Sequence, residues 1–333
     1  MSSFHDHPIK KVIREHWCKP LLSHFTQMLG CKLTYLGLPG IMAIDVIAWI
    51  DHLKKVIAFD IGDYSSPYND KAAKENISKL YQTLSNLEKR GQIDTFSLFH
   101  GYIEEVVLRG FDRGGIKFDQ NDLVTVYNLD FCNSLTVPLN ITDPLTGKTT
   151  TYYKTEVLRK LLQIQTELAK VNSGSKFIIY LTLHSHFLQS EAEKLFSGYN
   201  NSFYKKYDAS ISHLDQQYKN IRLLRYYILE TVKTLLCANQ FTPEFLPTIY
   251  YHGTGRNWLL CFTIIGTYVQ NPSSIAPFNQ SIEDLVQEKF LQANKKTIEY
   301  FVQGKLPEAD CNINPVDAVK KLKSYQEIWM KPN

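Results

Sequence analysis

The sequence predicts an α/β protein built on a doubly wound, mostly parallel sheet of seven strands that ends in a C-terminal antiparallel hairpin, with helical additions at both ends. Three observations carry this expectation. Short apolar runs alternate with longer amphipathic stretches along most of the chain, which requires parallel crossovers. The run Val56–Ile61 (VIAFDI) is apolar except for Asp60, as expected of a strand buried on both faces. Late in the chain, Thr248–His252 and Trp258–Val269 are joined by five turn residues, Gly253-Thr254-Gly255-Arg256-Asn257, which is the pattern of an antiparallel hairpin.

In order, residues 8–29 form a helix through Val12, Ile13, Leu21, Leu22, Phe25 and Met28. Strand one is Lys32–Gly37, followed by Gly37-Leu38-Pro39-Gly40 and a helix over 42–54. After strand two at 56–61, a polar amphipathic helix over 70–89 places Ile77, Leu80, Leu84 and Leu87 on one face. Strand three is Thr95–His100, with a turn at Gly101 and a short helix; strand four is Asp122–Asp130. The helix 154–171 carries Val157, Leu161, Ile164 and Leu168 at one-face spacing, Ser173-Gly174 ends it, and Lys176–Leu183 is strand five. A polar, Tyr-rich insert over 184–219 opens with a capping box at Ser190 to Glu193. A helix over 221–238 precedes the hairpin, and 281–302 and 315–329 are amphipathic and helical.

With 333 residues, the chain is long enough for one large α/β domain with additions or for two modest ones. A hydrophobic fraction of 44% and a charged fraction of 21% exclude wholesale disorder. The net charge of +4 gives no basic tail, so it permits a nucleic-acid partner without arguing for one. The polar stretch from Met1 to Lys11 has no apolar core of a signal peptide, and no stretch reaches the apolar length of a membrane span. The six cysteines form no C-x-x-C pair, so they are expected as reduced thiols and the compartment as the cytosol. Neither a P-loop nor a G-x-S-x-G elbow occurs.

Four turns at strand ends carry chemistry. Gly37 and Gly40 lie in the turn after strand one, where a residue without Cβ lets a ligand approach the backbone beside an electropositive helix N-terminus. Asp60 closes strand two 20 residues after Gly40, a position from which a carboxylate accepts hydrogen bonds from ribose hydroxyls; Asp63 is the nearby alternative. After strand three comes the turn His100-Gly101-Tyr102-Ile103. Strand four ends in Asn128-Leu129-Asp130-Phe131-Cys132-Asn133, beside the point where strand order reverses and ligands bind such sheets.

The element order and these turns resemble the class I S-adenosylmethionine-dependent methyltransferases, over roughly residues 32–270. The resemblance implies domain bounds of 1–31 for an N-terminal extension, 32–270 for the methyltransferase-like domain, and 271–333 for a C-terminal extension. It implies S-adenosylmethionine as cofactor, with Gly37 and Gly40 flanking the methionine part, Asp60 on the ribose and Tyr102 by the adenine. Asp130 and Asn133 then orient an acceptor amine beside Phe131. The chain departs from the family pattern in three places. Tyr35 stands where the family has an acid before its glycines, Tyr102 replaces the adenine-reading acid, and the proline pair after strand four is missing.

Tyrosines and cations interleave over 199–227, a pattern that fits either an amphipathic cap whose tyrosines seal the core and whose lysines are solvated, or stacking and phosphate contact with a nucleic-acid base as acceptor. The same departures admit a second reading, a methyltransferase-like chain without turnover that serves as a nucleotide- or nucleic-acid-binding subunit with a protein partner. Cys132 follows Phe131 rather than proline and is read as an inert thiol. His184, His186, His213 and His252 lack the companions of a metal site.

Overall fold

The computed structural model of the protein describes residues 10–11, 13–62, 70–131, 133–142, 146–172, 174–185, 216–246, 248–252 and 258–270. Asp63, Cys132, His186, His213, most of the 184–219 insert with its capping box, the 253–257 turn and the helices expected beyond 271 lie outside them.

The N-terminal helical segment is a π-helical turn at Ile13–Cys18 running into α1 (Lys19–Leu29), with Pro20 at the start, where its missing N–H costs nothing. Leu21, Leu22 and Phe25 are its buried face, and Gly30 stops it at φ 65. β1 (Leu33–Gly37) is buried throughout. The helix expected over 42–54 is shorter than its apolar pattern. Ala43 sits at φ 47, which delays helical geometry, so α2 covers only Ile44–Ala48 before a 3₁₀ turn at Ile50–His52. β2 consequently begins early, at Leu53, and runs to Asp60.

Next come α3 (Asp70–Lys89), β3 (Thr95–His100), α4 (Ile103–Arg109) and β4 (Val126–Asp130). β4 is shorter than the expected 122–130, and Asp122, ahead of the ladder, pairs with Lys55 at 2.5 Å. A two-stranded hairpin, β5 (Leu139–Thr142) with β6 (Thr149–Tyr152), was not expected from its polar, threonine-rich sequence. α5 (Lys154–Val171), β7 (Lys176–His184), α6 (Gln216–Ala238), β8 (Phe241–Phe245), β9 (Ile249–His252) and β10 (Trp258–Tyr268) complete the described chain.

The main sheet has the order β3-β2-β1-β4-β7-β10-β8, with β9 also paired to β10. This is a Rossmann-like α/β sheet with an antiparallel end. The chain forms two compact units that divide between Asp130 and Phe131. In the first, β3, β2, β1 and β4 are parallel neighbours, and order reverses at β1, which has β2 on one side and β4 on the other. Phe59, Phe99 and Phe118 meet at centroid distances of 5.3 to 5.6 Å in its core.

In the second unit, β10 pairs antiparallel with β7, β8 and β9. The hairpin is therefore present, but its first arm starts at Phe241 rather than at Thr248. Pro243 hides that extension in the sequence; β8 is an edge strand, where a residue without an N–H is tolerated. Gly266 has no room for a side chain, since a Cβ there would come within 2.4 Å of the Phe177 ring across the ladder. Among the described residues, no helix is long and apolar enough to cross a membrane.

Candidate functional site

Within the first unit, Gly37, Asp60, His100 and Asp130 are the last residues of β1, β2, β3 and β4, and strand order reverses at β1. Asp60 is the last residue of β2 and only 1% exposed. The apolar strand that carries it inward also strips its water. Its Oδ1 accepts the Gly62 N–H at 2.6 Å, while its Oδ2 is buried and has no partner among the described residues. Burial pushes the carboxyl up to about 6, against the lowering effect of the Gly62 N–H. Gly62 fixes this turn: its φ is +77, and a Cβ would come within 2.3 Å of the Ala73 carbonyl oxygen in α3.

His100 ends β3 and is the register partner of Asp60. Its N–H donates to Asp112 Oδ2 at 3.0 Å, and Asp112 Oδ1 accepts the Ile116 N–H at 2.7 Å, so the strand end is pinned by its own following loop. The His100 ring Nε2 is buried without a partner among the described residues. Burial, followed by the Arg113 charge, lowers the His100 pKa, against the opposing effects of Ile61, Asp112 and Glu105. Tyr102 is half-buried at the start of α4. The Arg113 guanidinium lies 5.5 Å from its ring centroid and donates to Glu105 at 3.0 Å, and Glu105 also takes Arg109 at 2.7 Å.

The turn after β1 divides the two glycines by cause. Gly37 is tight because β4 passes beside it: a Cβ would meet the Asn128 carbonyl oxygen at 2.3 Å and the Tyr35 hydroxyl at 2.8 Å. Gly40 has φ +64 and open space where a Cβ would stand. Around β1, Asn128 Nδ2 donates to Asp45 Oδ2 at 2.7 Å and to the Tyr35 hydroxyl at 3.2 Å, and Arg14 donates to the other oxygen of Asp45. Burial, then the Asp45 charge, raises the Tyr35 phenol well above its usual range, so it stays neutral. Thus the acid missing at position 35 has a neighbour in Asp45, delivered by α2.

Asp130 ends β4 and pairs with Lys10 at 2.5 Å, each side chain 34% exposed. Phe131 is a buried ring with the Lys154 Nζ 5.7 Å from its centroid, and that ammonium donates to the Val137 carbonyl at 2.7 Å. Asn133 is exposed. The residues that sequence reasoning left without a role are His100, Asn128, Asp45, Arg14 and Gly62. Asn128 carried a signal, because it shares a strand face with Asp130 where an apolar residue is expected. Asp45 and Arg14 carried none, since their meeting depends on the packing of distant segments.

No family model matches the chain, and comparison with curated proteins gives no significant match. Solved structures similar to it include EvdMO1, at 12% identity over 78% of this chain and 42% of that one, TM-score 0.35. Magnesium protoporphyrin IX methyltransferase from Synechocystis PCC 6803 with bound SAM is similar at 9% identity over 81% and 86%, TM-score 0.37. Trm1 from Pyrococcus horikoshii with S-adenosyl-L-methionine is similar at 9% over 80% and 56%, TM-score 0.37. The chain spans less than two thirds of the length of EvdMO1 and of Trm1. Similarity this distant assigns no residue and no activity.

Proposed function

We propose that this chain is an S-adenosylmethionine-dependent methyltransferase that acts on a nucleic-acid base. One observation carries the reading: a carboxylate buried at the end of β2, beside the strand where order reverses, with one oxygen lacking a partner among the described residues. A desolvated acceptor of this kind costs stability unless a polar group arrives to meet it, and ribose hydroxyls are suited to do so.

Asp60 would hold the ribose. Gly40, with open space at its α-carbon, would leave room for the methionine part, and Tyr102 would lie against the adenine. Asp130 and Asn133 would orient the acceptor amine beside Phe131. The bound cofactor supplies an electrophilic methyl on a sulfonium; the protein's part is alignment and exclusion of water. The nucleic-acid acceptor is supported by the interleaved tyrosines and cations of 199–227, such as Tyr204, Lys205 and Lys206.

Mass spectrometry of gently purified protein, with calorimetric titration of S-adenosylhomocysteine, tests the cofactor; labelled methyl transfer to RNA and DNA tests the reaction. Co-purified adenosine compound and methylated nucleic acid are the expected results. No binding of any adenosine compound overturns the proposal, and binding without transfer to any nucleic acid replaces catalysis with a binding role.

A further inference from the structure

We infer that His100 is a second hydroxyl acceptor of the same nucleoside site, so that Asp60 and His100 together select an unmodified vicinal diol with each taking one hydroxyl. The inference rests on the nucleoside reading above and sharpens which sugar the site takes.

Asp60 and His100 are paired residues at the ends of adjacent parallel strands, and the Gly101 N–H still donates to the Asp60 carbonyl at 2.9 Å, so the pairing holds to the last residue of both. Register partners in a parallel pair point to the same face, with strands about 4.8 Å apart. Asp60 Oδ1 accepts from the Gly62 N–H, which orients the carboxylate. Each side chain keeps one buried atom, Oδ2 and Nε2, with no partner among the described residues.

Two unpartnered buried polar atoms on register neighbours call for one ligand that satisfies both. With its proton on Nδ1, the neutral ring offers Nε2 as an acceptor. Burial and the Arg113 charge favour that neutral ring; Asp112 and Glu105 are the opposing charges. A carboxylate oxygen beside an imidazole nitrogen is therefore an acceptor pair, and its complement is a donor pair. A ribose diol offers two donors. A 2′-deoxyribose offers one, an O-methylated ribose replaces a donor with a methyl, and a ribose phosphate brings negative charge against Asp60.

The test is calorimetric titration of wild-type protein and His100→Phe with S-adenosylhomocysteine and its 2′-deoxy and 3′-deoxy counterparts. In the wild type, loss of either hydroxyl is expected to weaken binding about tenfold. In His100→Phe, the parent compound is expected to weaken about tenfold, one deoxy compound to bind as well as the parent, and the other to keep its penalty. Retention of both penalties in a folded His100→Phe overturns the assignment. Should that variant not fold, nitrogen-15 spectra of wild-type histidines decide: the His100 Nε2 signal is expected to move with S-adenosylhomocysteine and to move less with one deoxy compound. A signal that ignores the ligand overturns the assignment. Wild-type protein that binds no adenosine compound removes the nucleoside reading itself, whereas binding with unaltered discrimination in the variant removes only His100.

Discussion

At the ends of β2 and β3, Asp60 and His100 are buried and each keeps a polar atom without a partner among the described residues. At the end of β4 the polar groups are otherwise placed: Asn128 bonds Tyr35 and Asp45, Asp130 is paired with Lys10, Asn133 faces solvent, and Phe131 is part of the core. The difference separates two kinds of site. Unmet polar atoms in a desolvated place are costly to keep, so they mark a surface already shaped for a ligand. A strand end whose groups bond one another is stable alone and has to exchange those bonds before it can orient a substrate.

The largest effect that can break this contrast is at Phe131. Phe131→Ala is expected to cost about 3–5 kcal/mol in a denaturant titration, as for a ring removed from a packed core. A near-neutral result would mean that the ring is not part of the packed core. Next is Gly62, which turns the backbone so that its N–H reaches Asp60. Gly62→Ala is expected to cost about 2–4 kcal/mol, because it combines φ +77 with a clash at Ala73, whereas Gly40→Ala has only the left-handed strain of about 1–2 kcal/mol. Equal costs at the two glycines would undo the distinction between a glycine required by packing and one with open space.

The smallest effect is at the half-buried ion pair. Lys10→Ala is expected to change stability by under about 1 kcal/mol. If Asp130 serves the acceptor, the same variant changes the KM for nucleic acid while leaving S-adenosylhomocysteine affinity as it was; calorimetry beside a transfer assay reads both.

How much of this was legible in the sequence depends on what defines each feature. The helices 70–89 and 154–171 and the strand 95–100 have the bounds the pattern predicts, because apolar spacing and turn residues coincide there. β8 escaped because Pro243 argues against a central strand and only the sheet order reveals that it lies on an edge. The β5–β6 hairpin escaped because most of its residues face solvent, which leaves no alternation to see. Asp60 could be singled out, since an acid closing an apolar run is anomalous in one dimension. His100 has no signal of its own in one dimension; only register sets it beside Asp60. The chain of bonds from Arg14 through Asp45 and Asn128 to Tyr35 includes a pair 93 residues apart, Asn128 with Tyr35, and no local pattern encodes it.

Asp60→Asn gives the most direct measurement, because the account assigns the carboxylate a cost to the empty protein and a benefit to the bound one. Its pKa of about 6 in the fold lies above the ordinary value of 3.8, so the folded state holds the proton more tightly than the unfolded chain. Its contribution to stability is thus full below about pH 4 and is lost as pH rises to about 6 and beyond. In denaturant titrations across pH, Asp60→Asn is expected to lack that decline and to exceed the wild type by about 2–3 kcal/mol at pH 8, while binding S-adenosylhomocysteine about 100-fold more weakly. A variant that binds as the wild type does, or that is less stable than the wild type at pH 8, would contradict the account.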